Sequence, residues 1–502
     1  MLAGMLYGYM TTTGRSHRPL AMVRMEEIMG GVTIWWRGRS QTPRQHRRHA
    51  AGIWRLQGIA VGISLSLLAL VATVAHGQRL TLTPSLSLGE RYDDNIFETR
   101  SDKQDDFITI LSPGIRAQYL TPEPTIGTQF DLDYRADIQF FAEHSSQNDV
   151  AHRLSLMLAS PLAPSLDVRL RDLFLVTEDP FGREERLSDP TGLRPVSEQR
   201  RARTIRNEAE GKIDVRLGGR LSLGVLLGSL VEDVDIPEEL DEFRYTVGTD
   251  LGYAVNVARN SRVFVAYQVT FESFRTNGSV PQGSNDASFR VHTVSTGVRH
   301  DLTPTLAMNA ALGYSFTTSD ASQKDDHSAV IANIGLIKTY SLGQASLKYD
   351  RRFTSGEGEG GVVLGDTVSV SASVNLTGKL TARLDSNVSW FNFQDVTPGT
   401  LDEDQRFLSV RPSLTYQILR PWRVLLGYAY ENTTFADDAT ANRSDHRLLL
   451  GTQFALREWL TLGLSYRYAS RQVHGNNTTA GVDEYSRNQV MLTLTASPTL
   501  RF

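Results

Sequence analysis

Residues 130–141, FDLDYRADIQFF, alternate without a break. Phe130, Leu132, Tyr134, Ala136, Ile138 and Phe140 fall on one side, and Asp131, Asp133, Arg135, Asp137 and Gln139 on the other. Successive side chains of a β-strand point to opposite faces, so the stretch predicts a strand with one apolar and one charged face. The pattern returns along the body of the chain. WRVLLGYAYEN sets Trp422, Val424, Leu426, Tyr428 and Tyr430 against Arg423, Gly427 and Glu431. LTARLDSNVSW sets Leu380, Ala382, Leu384 and Val388 against Thr381, Arg383, Asp385 and Asn387. ASLKYDRRF sets Ala345, Leu347, Tyr349 and Phe353 against Ser346, Lys348, Asp350 and Arg352, with Arg351 a flaw on the apolar side. No window after residue 77 sustains a 3.6-residue period, so almost no helix is expected.

The connections between these segments alternate in kind. Tight ones, such as GG at 218, TPT at 303 and TGK at 377, follow one segment. Long polar ones, such as 142–149, 178–202 and 471–485, follow the next. Counting them gives ten hairpins and about 20 strands, with 18–22 as the range. Each segment runs about 12–16 residues, longer than the five or six usual in soluble proteins. Trp422 and Trp459 stand beside tight turns, and Tyr428, Tyr430, Tyr466 and Tyr468 stand near the far ends of the same strands, as two aromatic girdles would. The fold class expected is all-β: a transmembrane antiparallel barrel over residues 78–502. A soluble core would need a second layer over every apolar face, and the chain offers no helices or spare strands for it.

Residues 44–55 are basic, 56–77 carry no charge, and Ala75-His76-Gly77 offers a small-residue cleavage site. This is the order of a secretory signal, assigned to 44–77. Residues 1–43 form an unassigned extension, with Met25 or Met29 as candidate initiators. Of the net charge of −4, residues 1–77 contribute +7 (nine Arg, two Glu), leaving −4 − 7 = −11 for the rest. A net-acidic body argues against nucleic acid as a partner. The absence of Cys excludes disulfides, thiolate zinc sites and cysteine nucleophiles.

Two segments carry a resemblance. ERYDDNIFETRSDKQDDFITILSPGI, residues 90–115, with its Tyr-Asp-Asp-Asn-Ile-Phe run and later Ser-Pro-Gly, resembles the β-barrel porin family found with bacterial exopolysaccharide gene clusters. The chain end, LTLTASPTLRF, looks like an outer-membrane assembly signal with Phe502 as its terminal aromatic. The resemblance implies the outer membrane, its lipid, the barrel-assembly machinery and polysaccharide secretion components as partners, and no catalytic residues.

Candidate chemistry is sparse. GEGEGG at 356–361 fits G-x-G-x-x-G only formally, because strand-like sequence follows where a nucleotide site needs a helix. His144, His152, His292, His300, His327, His446 and His474 show no ligand spacing, and no G-x-S-x-G nucleophile stretch occurs. No enzyme activity, cofactor or metal site is expected. Asp93, Asp94, Asp102, Asp105 and Asp106 do not have the spacing of a calcium loop and read as solvated loop acids. The charged faces carry the functional expectation. Asp131, Asp133, Arg135 and Asp137 on one strand, Arg169 and Arg171 on a second, Lys348, Asp350 and Arg352 on a third, and Arg383 and Asp385 on a fourth are the candidates for a lumen lining. Mixed signs suit a wet pore for polar or saccharide solutes, and internal bracing of a non-conducting scaffold is the alternative. The loop 178–202, set against Asp131, Asp133 and Arg135, is the candidate constriction.

Overall fold

A computed structural model describes residues 80–120, 127–178, 203–235, 240–257, 260–276, 287–319, 326–355, 362–393, 404–435, 442–474 and 484–501. The segments 1–43 and 44–77, most of the 178–202 loop, the GEGEGG loop and Phe502 lie outside them.

The described chain is β-strand joined by turns and loops, with one short 3-10 turn at Ser145–Gln147. The strands run β1 (Leu80–Asp93), β2 (Asp106–Leu120), β3 (Gln129–Phe141), β4 (Asp149–Ala163), β5 (Leu166–Thr177), β6 (Thr204–Arg216), β7 (Leu221–Val234), β8 (Leu240–Asn256), β9 (Ser261–Thr276) and β10 (Ala287–Thr303). They continue as β11 (Leu306–Ser319), β12 (Ser328–Tyr340), β13 (Gly343–Ser355), β14 (Val362–Asn375), β15 (Leu380–Phe393), β16 (Gln405–Leu419), β17 (Trp422–Phe435), β18 (Asn442–Arg457), β19 (Leu460–His474) and β20 (Tyr485–Ala496). A last piece, β21 (Leu500–Arg501), resumes the path of β20 and pairs with β1 beside it. Each strand pairs antiparallel with the next, and β20 pairs antiparallel with β1, so 20 strands close into a barrel.

The alternation read from the sequence sets the two faces. In β9, Val263, Val265 and Tyr267 stand 43%, 57% and 43% exposed on one face, while Phe264, Ala266 and Gln268 occupy the other. Leu86, Leu312, Val330, Leu450 and Leu492 repeat that exposure around the barrel. These side chains point outward, and in lipid that apolar band is buried at about 25 cal/mol per Å². Closure matters as much. With no water in the hydrocarbon, an unpaired strand edge costs several kcal/mol per polar group, and a closed barrel has none.

Connections follow the sequence count. Tight turns join β4 to β5, β6 to β7 and β14 to β15. Loops of five residues or more join β1 to β2, β3 to β4 and every other such pair, and the one departure on the tight-turn rim is the β2–β3 connection, residues 121–128. Register shifts at Pro161/Ala163, Ala254/Asn256, Asp301/Thr303, Gln417/Leu419 and Ala455/Arg457 all fall in the last residues before a tight turn. The extra residue there bends the strand into its turn. An even number of antiparallel strands, short turns at one rim, long loops at the other and an outward apolar band define a bacterial outer-membrane barrel, and this chain has that architecture. By the same rule the tight turns face the periplasm.

Two outward features were not visible in the sequence. Arg351, the flaw in its strand, bonds Asp366 at 2.8 Å, and the Tyr349 hydroxyl donates to the same carboxylate at 2.6 Å. The apolar side thus carries a satisfied ion pair rather than a stray charge. The scattered histidines also have a pattern. Tyr134 bonds His152 at 3.1 Å, Tyr267 bonds His292 at 2.9 Å, and Tyr428 bonds His446 at 2.8 Å. In each, a tyrosine near mid-strand meets a histidine in the long-loop half of the next strand.

Closure can be tested at Ser87 and Thr495, which face each other across β1 and β20 with hydroxyl oxygens 2.8 Å apart. Directly opposed residues lie within disulfide reach. A Ser87→Cys, Thr495→Cys chain should cross-link under oxidant once assembled and migrate as a circularised species. A folded barrel that stays uncross-linked would contradict the closure.

Candidate functional site

The inner face is built by register. Directly opposed residues of an antiparallel pair share a face, so Asp131 lies with Gln118 and Met157, and Asp133 with Arg116 and Ser155. Arg116 forks onto Asp131 at 3.1 and 2.5 Å, and Gln118 donates to the same carboxylate at 2.9 Å. Arg135 bonds Asp137 two residues along its strand at 2.6 Å. From β5 to β9 the pairs link up. Arg169 faces Asp214 at 3.7 Å, and Lys212 sits between Asp214 at 3.5 Å and Asp250 at 3.4 Å. Arg262 reaches Asp250 at 2.6 Å, and Arg216 bonds Asp167 at 3.0 Å. Arg171 stands opposite Glu210 in register.

Glycines make room for this lattice. A Cβ on Gly224 would lie 2.1 Å from Asp250, and one on Gly252 would lie 1.9 Å from Arg262. The Asp250–Arg262 pair therefore lies flat over two backbones that carry no side chain. On β13, Lys348 holds Asp350 at 3.0 Å, Arg352 stands 3.9 Å from it, and Asn333 donates to it at 2.6 Å. Arg383 bonds Asp385 at 2.6 Å.

Toward the long-loop rim the pairs are buried. Arg206 bonds Glu232 at 3.1 Å, and Arg244 bonds Glu242 and Glu272, each at 2.6 Å. Glu431 accepts from both Arg411 and Arg447, and Arg471 bonds Asp445 at 2.8 Å. Desolvation opposes each such charge, and the opposing guanidinium offsets it only while the pair stays intact.

The Tyr-Asp-Asp-Asn-Ile-Phe run closes the seam. Asp93, fully buried, takes Arg487 at 2.9 and 2.5 Å and Gln489 at 2.8 Å. Arg487 also donates to Glu98 at 2.6 Å. Asp94 accepts the backbone N–H and side-chain amide of Asn488, both at 2.6 Å. The Asn95 amide donates to the carbonyls of Thr99 at 2.7 Å and Ser486 at 3.1 Å. Ile96 then packs among Ile108, Ile110 and Phe141, with Met491 beside them. The first loop is thus bolted to β20 and lays an apolar side chain on the inner wall.

This corrects the reading of the loop acids as solvated for Asp93, Asp94 and Asp106, while Asp102 and Asp105 are exposed as expected. Asp93 is locked in an ion pair. Asp106 is buried, accepting the backbone N–H groups of Ala142 at 3.0 Å, Glu143 at 3.1 Å and His144 at 2.9 Å. Among the described residues no cluster of His, Asp and Glu could hold a metal. The constriction set between 178–202 and Asp131, Asp133 and Arg135 rests on a loop outside the described residues. Asp131 and Asp133 themselves lie near the tight-turn end of β3, two and four residues from Gln129.

No family model matches the chain, and no curated protein does. Solved structures share its outline. The ferric-catecholate import receptor Fiu of E. coli K12 aligns at a TM-score of 0.46 and 9% identity over 83% of this chain and 81% of its own. A BenF-like porin from Pseudomonas fluorescens Pf-5 aligns at 0.37 and 12% identity over 84% and 99%. OccAB4 of Acinetobacter baumannii aligns at 0.34 and 11% identity over 85% and 100%. Likeness at this level decides nothing about function, and the fold rests on the chain's own strand pairing.

The seam bolt has a measurable consequence. Arg487→Ala leaves the Asp93 carboxylate buried without its guanidinium, a loss of about 3–5 kcal/mol. The variant barrel should convert from its compact to its unfolded gel form at a lower temperature than the parent. An unchanged conversion temperature would mean the bolt does not hold the seam.

Proposed function

We propose that the inner wall lines a water-filled channel for polar, saccharide-class solutes, acting with exopolysaccharide secretion. The observation that carries this reading is the hydroxyl strip between the charged sectors. Ser346 bonds Ser371 at 2.7 Å, with Ser369 and Ser373 on the same face of β14, while the Thr367–Ser389 pair beyond them is buried. Neutral donors and acceptors in a row can exchange hydrogen bonds with successive sugar hydroxyls, and the flanking ion pairs keep the wall wet. Twenty strands enclose a lumen wider than that of small filled barrels, between open 16–18-stranded porins and plugged 22-stranded transporters. The resemblance of residues 90–115 supports the link to exopolysaccharide. A non-conducting scaffold is the competing reading, favoured by Ile96 lying on the inner wall.

Purified chain in planar bilayers should show discrete conductance steps. Folded barrel, verified by its heat-modifiable migration, that inserts without any steps would remove the channel reading and leave the scaffold.

A further inference from the structure

We infer that the tight-turn mouth of the barrel is an anion filter, a guanidinium ring that admits carboxylate-bearing solutes such as acidic sugars; the inference rests on the channel reading. Arg116, Arg169, Arg216, Arg299, Arg383 and Arg423 come from six different strands. Each lies within four residues of its strand's tight-turn end, as Arg116 does from Leu120 and Arg383 does from Leu380. At the rise of a tilted strand, four residues span about 10 Å along the barrel axis, so the six form a band rather than a column. Their strands, β2, β5, β6, β10, β15 and β17, are distributed around the barrel.

Acids share the band, namely Asp131, Asp133, Asp167, Asp214 and Asp301, with Lys212 and Arg262 as further cations. Eight cations stand against these five acids, and Asp250 and Asp385, which pair with Arg262 and Arg383 from just above the band, bring the mouth close to balance. Position decides which sign the pore water meets. The Arg169 side chain is 63% exposed and its partner Asp214 16%. Arg216 is 61% exposed against 29% for Asp167, and Arg116 48% against 26% for Asp131. Arg383 is 65% exposed against 38% for Asp385. In every pair the short carboxylate stays at the wall and the long guanidinium reaches past it into the lumen. A guanidinium has five donors, and one carboxylate occupies at most two of them. The free fork can therefore take a second carboxylate in bidentate fashion. Arg299 and Arg423 are exposed too, and Arg423 holds the neutral Gln453 at 2.9 Å. The exception is β6, where Glu210 is exposed and the Glu208 side chain is 46% exposed, both above this band. Rings of arginine or lysine select anions as rings of carboxylate select cations.

The test is the reversal potential of the full chain in planar bilayers, under a gradient of potassium chloride and then of potassium glucuronate. The filter predicts an anion-to-potassium permeability ratio above one for chloride, and measurable current carried by glucuronate. Arg169→Gln, Arg216→Gln and Arg383→Gln together uncover Asp214, Asp167 and Asp385, so the ratio should fall below one while conductance steps persist. Arg299→Gln with Arg423→Gln, which leaves those ion pairs intact, should lower the ratio in the same direction. Steps that prefer potassium in the parent chain, or a ratio unmoved by both sets, would overturn the filter and leave the channel standing. A folded barrel without steps would overturn the channel reading and the filter with it.

Discussion

The structure depends on one constraint: inside a bilayer every backbone N–H and C=O must find its partner within the protein. Twenty strands meet it only because the first pairs with the last, and that pairing joins residues such as Ser87 and Thr495, 408 positions apart. Closure divides each strand's side chains between lipid and interior. The same alternation that makes Val265 lipid-facing makes Phe264 and Ala266 wall residues. Tight turns keep neighbouring strands paired at one rim, and the long loops on the other rim are free to carry other tasks.

The outer face was legible because its signal is local. FDLDYRADIQFF shows both faces of β3 within twelve letters, and strand number followed from the rhythm of turns and loops. The pairings on the inner face were not legible, because they depend on register between strands. Nothing near Asp93 announces Arg487, 394 residues away, so a buried ion pair read as a solvated loop. Arg351 looked like a defect because its partner Asp366 lies on the next strand. Gly224 and Gly252 are a signal that could have been read: inward glycines beside strands rich in charge mark places where long side chains lie flat against the wall.

The inner wall also shows why composition misleads about electrostatics. The body of the chain is net acidic, yet in the ion pairs near the tight turns the more exposed side chains are arginines. Side-chain length separates the signs: carboxylates end at the wall, and guanidiniums pass over them. At the other rim the same ion-pair chemistry is buried, as in Glu431 between Arg411 and Arg447, and there it ties neighbouring strands together. One lattice of Arg–carboxylate pairs is thus buried at one end of the barrel and exposed at the other.

The central claim is that one face of each strand meets lipid and the other meets water. The most direct measurement is a nitroxide scan of β9 from Val263 to Gln268 in the reconstituted barrel, reading collision with oxygen, which partitions into lipid, and with a water-soluble nickel chelate. Labels at Val263, Val265 and Tyr267 should collide preferentially with oxygen, and labels at Phe264, Ala266 and Gln268 with nickel, giving a strict two-residue period. A scan without that period, or with oxygen dominant at every position, would contradict the account.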